Sequence, residues 1–130
     1  MNDKPSMRTA LSRVRHFGSA RAGTGHFWHQ RVTSVALIPL TIGFIIILVS
    51  LLGRNHAAAV QILGSPFVAI VMMLFIVTGV YHMWLGMQMI IEDYVHEETL
   101  KIGSLMASAF FCVVVAFTSL FAILKLSFGV

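Results

Sequence analysis

Three side chains in one stretch, Gly79–His96 (GVYHMWLGMQMIIEDYVH), are placed to do chemistry together: His82, Asp93 and Tyr94. His82 stands well inside an apolar run, and Asp93 and Tyr94 stand where that run meets the acidic cluster of residues 92–98. An ionisable side chain at membrane depth is costly, so its presence there points to a proton path, an ion path or a ligand. Two roles suit His82: a hydrogen bond to a neighbouring helix, or an axial bond to a haem iron. Gly79 and Gly86 lie three before and four after it, on the same helical face, where they leave a flat surface for a porphyrin. The other histidines, His16, His26, His29, His56 and His96, fall in the amino-terminal arm, in a loop or at the ends of apolar runs. A haem with two axial histidines would therefore draw its second one from another polypeptide.

Asp93 is eleven positions beyond His82, which returns it to within about 20° of the same helical face and about 16 Å further along. Tyr94 is about 120° round from His82. A phenol donates a hydrogen bond and tolerates a half-apolar site. Quinone reduction needs a donor to each quinone oxygen and a proton route from water, and an interfacial tyrosine with a carboxylate beside it suits that need. The simpler alternative is an interfacial tyrosine followed by a solvated acidic loop. Arg31, at the start of the first apolar run, either anchors that end by snorkelling or pairs with an anion such as a haem propionate. No phosphate loop, nucleophile–base pair or dinucleotide fingerprint is present.

The elements that must position these residues are membrane helices. Of the 130 residues, 58% are hydrophobic and 11% charged, against about 25% charged in soluble domains. The mean hydropathy is +0.88. A chain this short cannot bury so much apolar surface in its own core, so lipid or other protein must cover it. Val32–Leu52, Phe67–Ile91 and Ile102–Leu124 are runs without charge. About 20 residues at 1.5 Å each cross a hydrocarbon core of about 30 Å. The fold class is thus an all-α membrane protein with three transmembrane helices, at about 32–52, 67–91 and 102–124. A β-barrel would need alternation, which is absent.

Pro39 removes a backbone donor in the first span and frees the Val35 carbonyl, which predicts a bend there. Residues 53–66 read as a short loop marked by Gly53, Gly64 and Pro66. Cys112, the single cysteine, reads as a small buried hydrophobe. Residues 1–30 form a basic, polar arm ahead of a single anchor domain, 31–130. The arm's basic residues adjoin a membrane span and signal topology or docking, not nucleic-acid binding. Lys4, Arg8, Arg13, Arg15, Arg21, Arg31 and Lys101 lie on one side of the membrane, and Arg54 and Lys125 on the other. That bias puts the amino terminus and the 92–101 loop inside and the carboxyl terminus outside.

The pattern His82-Met-Trp84-Leu-Gly86-Met87 followed by Asp93-Tyr94-Val95, with GHFWHQRVTSVALIPL at 25–40, resembles the hydrophobic membrane anchor of succinate dehydrogenase, respiratory complex II, of the α-proteobacterial type. The resemblance implies a complex of four polypeptides: a flavoprotein, an iron–sulfur protein, this anchor and a second membrane anchor. The chain would lie in the bacterial inner membrane, with the mitochondrial inner membrane as the alternative. It further implies that His82 is an axial ligand of haem b, paired with a histidine of the second membrane anchor. Tyr94 and Asp93 would belong to the ubiquinone site, and Arg31 would stand near the haem propionates and the rim of the quinone pocket. Such a chain contributes to quinone reduction and not to succinate oxidation itself. The rival readings are the anchor of a fumarate reductase and a non-redox assembly or transport protein. Transporters often show inverted repeats or several intramembrane charges, and this chain shows neither.

Overall fold

The computed structural model describes residues 22–129, in four helices: α1 (Ala22–Leu51), α2 (His56–Leu63), α3 (Pro66–Tyr94) and α4 (Glu98–Phe128). Residues 1–21, most of the basic arm, lie outside the described residues. Spans Thr24–Leu51, Pro66–Tyr94 and Glu98–Phe128 are long and apolar enough to cross a membrane, as the three uncharged runs predict. Each helix extends beyond its run, because helical backbone satisfies its own hydrogen bonds in lipid and in the interfacial layer alike.

The extension matters most in α1. This helix begins at Ala22, so residues 22–30 of the stretch assigned to the arm are helical, and Arg31 stands inside the helix, not at its mouth. The early turns carry no charge between Arg21 and Arg31, and three of their polar side chains, His26, His29 and Gln30, find partners on α3. The helix runs through Pro39, which is on an exposed face.

The segment expected to be a plain loop contains α2. Asn55 caps it by accepting a bond from the Ala58 amide at 2.9 Å. Three alanines, the best helix formers, fill its first turn. Gly64 ends it under steric compulsion: a β-carbon there would meet the Leu126 carbonyl oxygen at 2.8 Å. Pro66 then opens α3 at a first-turn position where a missing N–H costs nothing. In α4, Glu98 occupies the first turn and Lys125 the last, each matching the helix dipole, and Gly129 closes the helix with φ 70°.

α3 is the central element, packed by α1 on one side and α4 on the other. Gly43 lets α1 approach Val71, and Phe44 stacks on Phe75 with ring centroids 4.4 Å apart. Ala69, Leu85, Ile91, Cys112 and Ile123 are buried, and Cys112 takes the apolar place expected of it. Most other large apolar side chains face outward, and only 11–17% of each span's most apolar window is buried within the chain. Lipid or partner helices must cover the remainder.

The lysine and arginine bias makes a prediction about which way these helices are threaded. A reporter fused after Val130 is expected to read as external, and one inserted at 97–100 as internal. Reporter activity on the opposite sides would reverse the orientation.

Candidate functional site

The site is assembled by two faces that meet. On α1, His26, Gln30 and Thr33 are spaced four and three apart, which aligns them in one stripe. That stripe is turned toward α3. His26 Nε2 lies 3.3 Å from the Leu85 carbonyl oxygen. Gln30 Nε2 lies 3.4 Å from His82 Nε2, and Thr33 Oγ1 lies 2.9 Å from His82 Nδ1. Beside them, Tyr81 Oη is 3.3 Å from His29 Nδ1, the two rings meet edge to face, and Trp84 packs against Tyr81 with centroids 5.9 Å apart.

The contacts of the Thr33 hydroxyl favour one His82 tautomer. Thr33 Oγ1 is also 2.8 Å from the His29 carbonyl oxygen and 3.1 Å from that of Gln30. A hydroxyl has one proton, and a carbonyl can only accept. When its proton goes to its own helix, the Thr33 oxygen is free to accept from His82 Nδ1–H. His82 Nε2 then carries the lone pair, toward which the Gln30 amide donates over a long 3.4 Å. The Gln30 Oε1 atom is buried and has no partner. The result is an imidazole with one nitrogen tied off and the other presenting a lone pair that can accept a proton or bind a metal.

The glycines of the His82 face point toward α1 and not to an open surface. A β-carbon at Gly79 would meet Leu37 at 3.9 Å, and one at Gly86 would meet Gln30 Nε2 at 3.7 Å. Both are ordinary contacts, so packing within this chain does not require glycine at either position.

The α1–α3 pairings also fix the level of the other residues. His29 pairs with Tyr81 and Gln30 with His82, so Arg31 is level with His82. Its guanidinium lies over the Phe27 ring, 4.9 Å from the centroid, on an exposed face of α1. Asp93 and Tyr94 are eleven and twelve residues beyond His82 on α3, about 16 and 18 Å along the axis. The structure thus joins Arg31 and His82 at one depth and leaves Asp93 and Tyr94 at another, at the end of the helix. Both of these are exposed, Tyr94 at 79%. Because α3 stays helical to Tyr94, Asp93 keeps the face calculated for it. Among the described residues, no group of three or more His, Cys, Asp or Glu side chains converges to hold a metal ion.

Thr33 and Gln30 were not singled out by the sequence, although the polar stripe at 26, 30 and 33 in a membrane helix was a signal that could have found them. A threonine in such a helix satisfies its own carbonyls wherever it points, so its type alone does not reveal a partner.

Comparison with known proteins identifies the family of the chain. The family model described as succinate dehydrogenase/fumarate reductase transmembrane subunit matches residues 5–122. A succinate dehydrogenase hydrophobic membrane anchor subunit of Paracoccus denitrificans is 31% identical over 112 residues, 86% of each chain. Its counterpart in Rickettsia conorii is 27% identical, over 82% of this chain and 86% of the relative. A succinate dehydrogenase membrane anchor subunit of Reclinomonas americana is 29% identical, over 69% of this chain and 78% of the relative. No solved structure matches at a significant level. With three membrane spans in the described residues and a family match over nearly its whole length, the chain is a multi-pass inner-membrane protein that belongs to the succinate dehydrogenase/fumarate reductase transmembrane subunit family.

Proposed function

We propose that the chain is the hydrophobic membrane anchor of a succinate:ubiquinone oxidoreductase, sharing haem b with a second membrane anchor and forming part of the ubiquinone-reduction site. The iron–sulfur protein would deliver electrons there from the flavoprotein that oxidises succinate. The names of the curated relatives favour succinate oxidation over fumarate reduction. The observation that carries the haem assignment is His82: its Nδ1 is tied to Thr33, and its Nε2 has only a long contact with a weakly held glutamine.

The residues fit the group. Gln30 can leave Nε2 at little cost, since half of its amide is already unsatisfied. Gly79 and Gly86 face α1 and not an open surface, so the fit rests on His82 and Arg31 and not on a glycine platform. Arg31 is an exposed cation within the span Thr24–Leu51, level with His82 and about 15 Å or more from the acids of α3. A cation at that depth calls for an anionic partner, and a propionate is one. When bound, the haem would supply a one-electron store between the two anchors.

Tyr94 and Asp93 act at the other level. Tyr94 donates its phenolic proton in a hydrogen bond to a quinone carbonyl oxygen, and Asp93 connects that position to water. Their exposure means that partner polypeptides complete the pocket. The test is an absorption spectrum of the purified, fully assembled complex. A b-type haem band is expected; its absence with all four polypeptides present would reject the haem assignment.

A further inference from the structure

We propose that Thr33 is a positioning residue for His82, fixing which imidazole nitrogen faces the iron and how strongly it donates. The proposal rests on the reading of His82 as an axial haem ligand. Its support is the three-partner geometry of one hydroxyl. Oγ1 of Thr33 is 2.8 Å and 3.1 Å from two carbonyl oxygens of its own helix and 2.9 Å from His82 Nδ1. The two carbonyls hold the hydroxyl in place along α1, so the acceptor offered to His82 is fixed by backbone and not by a mobile side chain.

Two consequences follow for the ring. The Nδ1–H tautomer is selected, which leaves Nε2 as the ligating nitrogen, and ring rotation about its own axis is blocked. A histidine whose second nitrogen donates to an acceptor is also a more basic metal ligand. A more basic ligand favours ferric over ferrous iron. Removing the acceptor is therefore expected to make the haem easier to reduce. Ordinary interhelical adhesion would give Thr33 the same contact but would predict no such change at the iron.

The experiment uses the intact complex carrying Thr33→Val, Thr33→Ser or Thr33→Ala, with His82→Leu alongside. The readouts are a potentiometric titration of the b-haem band and the electron paramagnetic resonance of the ferric haem. In Thr33→Val, which keeps volume and loses the hydroxyl, the ferrous-to-ferric ratio at a fixed ambient potential is expected to rise by about twofold or more, up to a ceiling of about 13-fold set by the whole worth of one neutral hydrogen bond. A tenfold change corresponds to about 59 mV for one electron. The ferric resonance is expected to shift as the ring loses its fixed orientation. Thr33→Ser is expected to restore both readouts toward wild type. A wild-type potential and resonance in Thr33→Val, with His82→Leu altering the haem, would overturn the proposal and leave the ligand assignment standing. An unaltered haem in His82→Leu would overturn both. Thr33→Ala gives the same reading if the valine methyl blocks assembly. If neither variant assembles while Thr33→Ser does, Thr33 is a structural residue and the proposal fails.

Discussion

Replacing His82 with leucine is expected to abolish or grossly alter the b-haem spectrum of the complex while leaving the three-span fold in place. The two halves of this result have separate physical causes. The ligand half follows from the tied Nδ1 and the lone pair on Nε2. Leucine has no atom that can replace that lone pair. The fold half follows from what is lost between α1 and α3. Interhelical hydrogen bonds in membrane proteins average about 0.6 kcal/mol and reach about 1.7 kcal/mol. The abandoned Thr33 hydroxyl keeps its bonds to the carbonyls of His29 and Gln30, and the Gln30 amide loses only a long contact of 3.4 Å. The Phe44–Phe75 stack and the Gly43–Val71 approach lie elsewhere along the interface and are not touched. The measurement is the reduced-minus-oxidised spectrum together with the midpoint potential, because a substitute ligand could rebuild a band but not the potential. A wild-type spectrum and potential in His82→Leu would falsify the assignment.

The second large effect concerns the quinone. In Tyr94→Phe, the ratio of quinone-linked to dye-linked succinate oxidation is expected to fall by about 2- to 13-fold, the worth of one neutral hydrogen bond of 0.5–1.5 kcal/mol. The substitution removes one hydroxyl and little volume. Tyr94 is 79% exposed and makes no side-chain hydrogen bond within the described residues, so phenylalanine breaks no intrachain contact of that kind. If the bond strengthens as the quinone oxygen gains negative charge, turnover falls along with apparent quinone affinity. Dye-linked oxidation reports the flavoprotein in the same preparation and controls for assembly. The ratio separates a hydrogen-bond donor from an interfacial tyrosine: an unchanged ratio in a fully assembled complex returns Tyr94 to the latter role.

Much of this molecule was legible without coordinates. Charge-free runs of about twenty residues leave the backbone no option in lipid but helix, so the number and type of spans follow from composition alone. The depth of His82 and the position of Asp93 and Tyr94 at a helix end are likewise counted along one element, since rise and rotation per residue are constants of the helix. The short helix α2 was written in Asn55 and the alanines that follow, yet Gly53, Gly64 and Pro66 mark the same stretch as a loop, and the bond from the Ala58 amide to the Asn55 side chain shows the cap that starts the helix.

Only the tertiary structure decided which faces meet. Beyond the polar stripe at 26, 30 and 33, α1 is apolar nearly all round, so its register against α3 cannot be read from its hydrophobic pattern. That register sets Arg31 level with His82 and separates it from Tyr94, whereas its place beside an uncharged run suggested the mouth of the helix. It also turns the Gly79–His82–Gly86 face toward α1 and brings Thr33 to His82 Nδ1. Sequence determines what each helix carries and at what height. The pairing between helices determines which side chain holds the histidine, because a hydrogen bond of 2.9 Å depends on the rotation and offset of two helices at once.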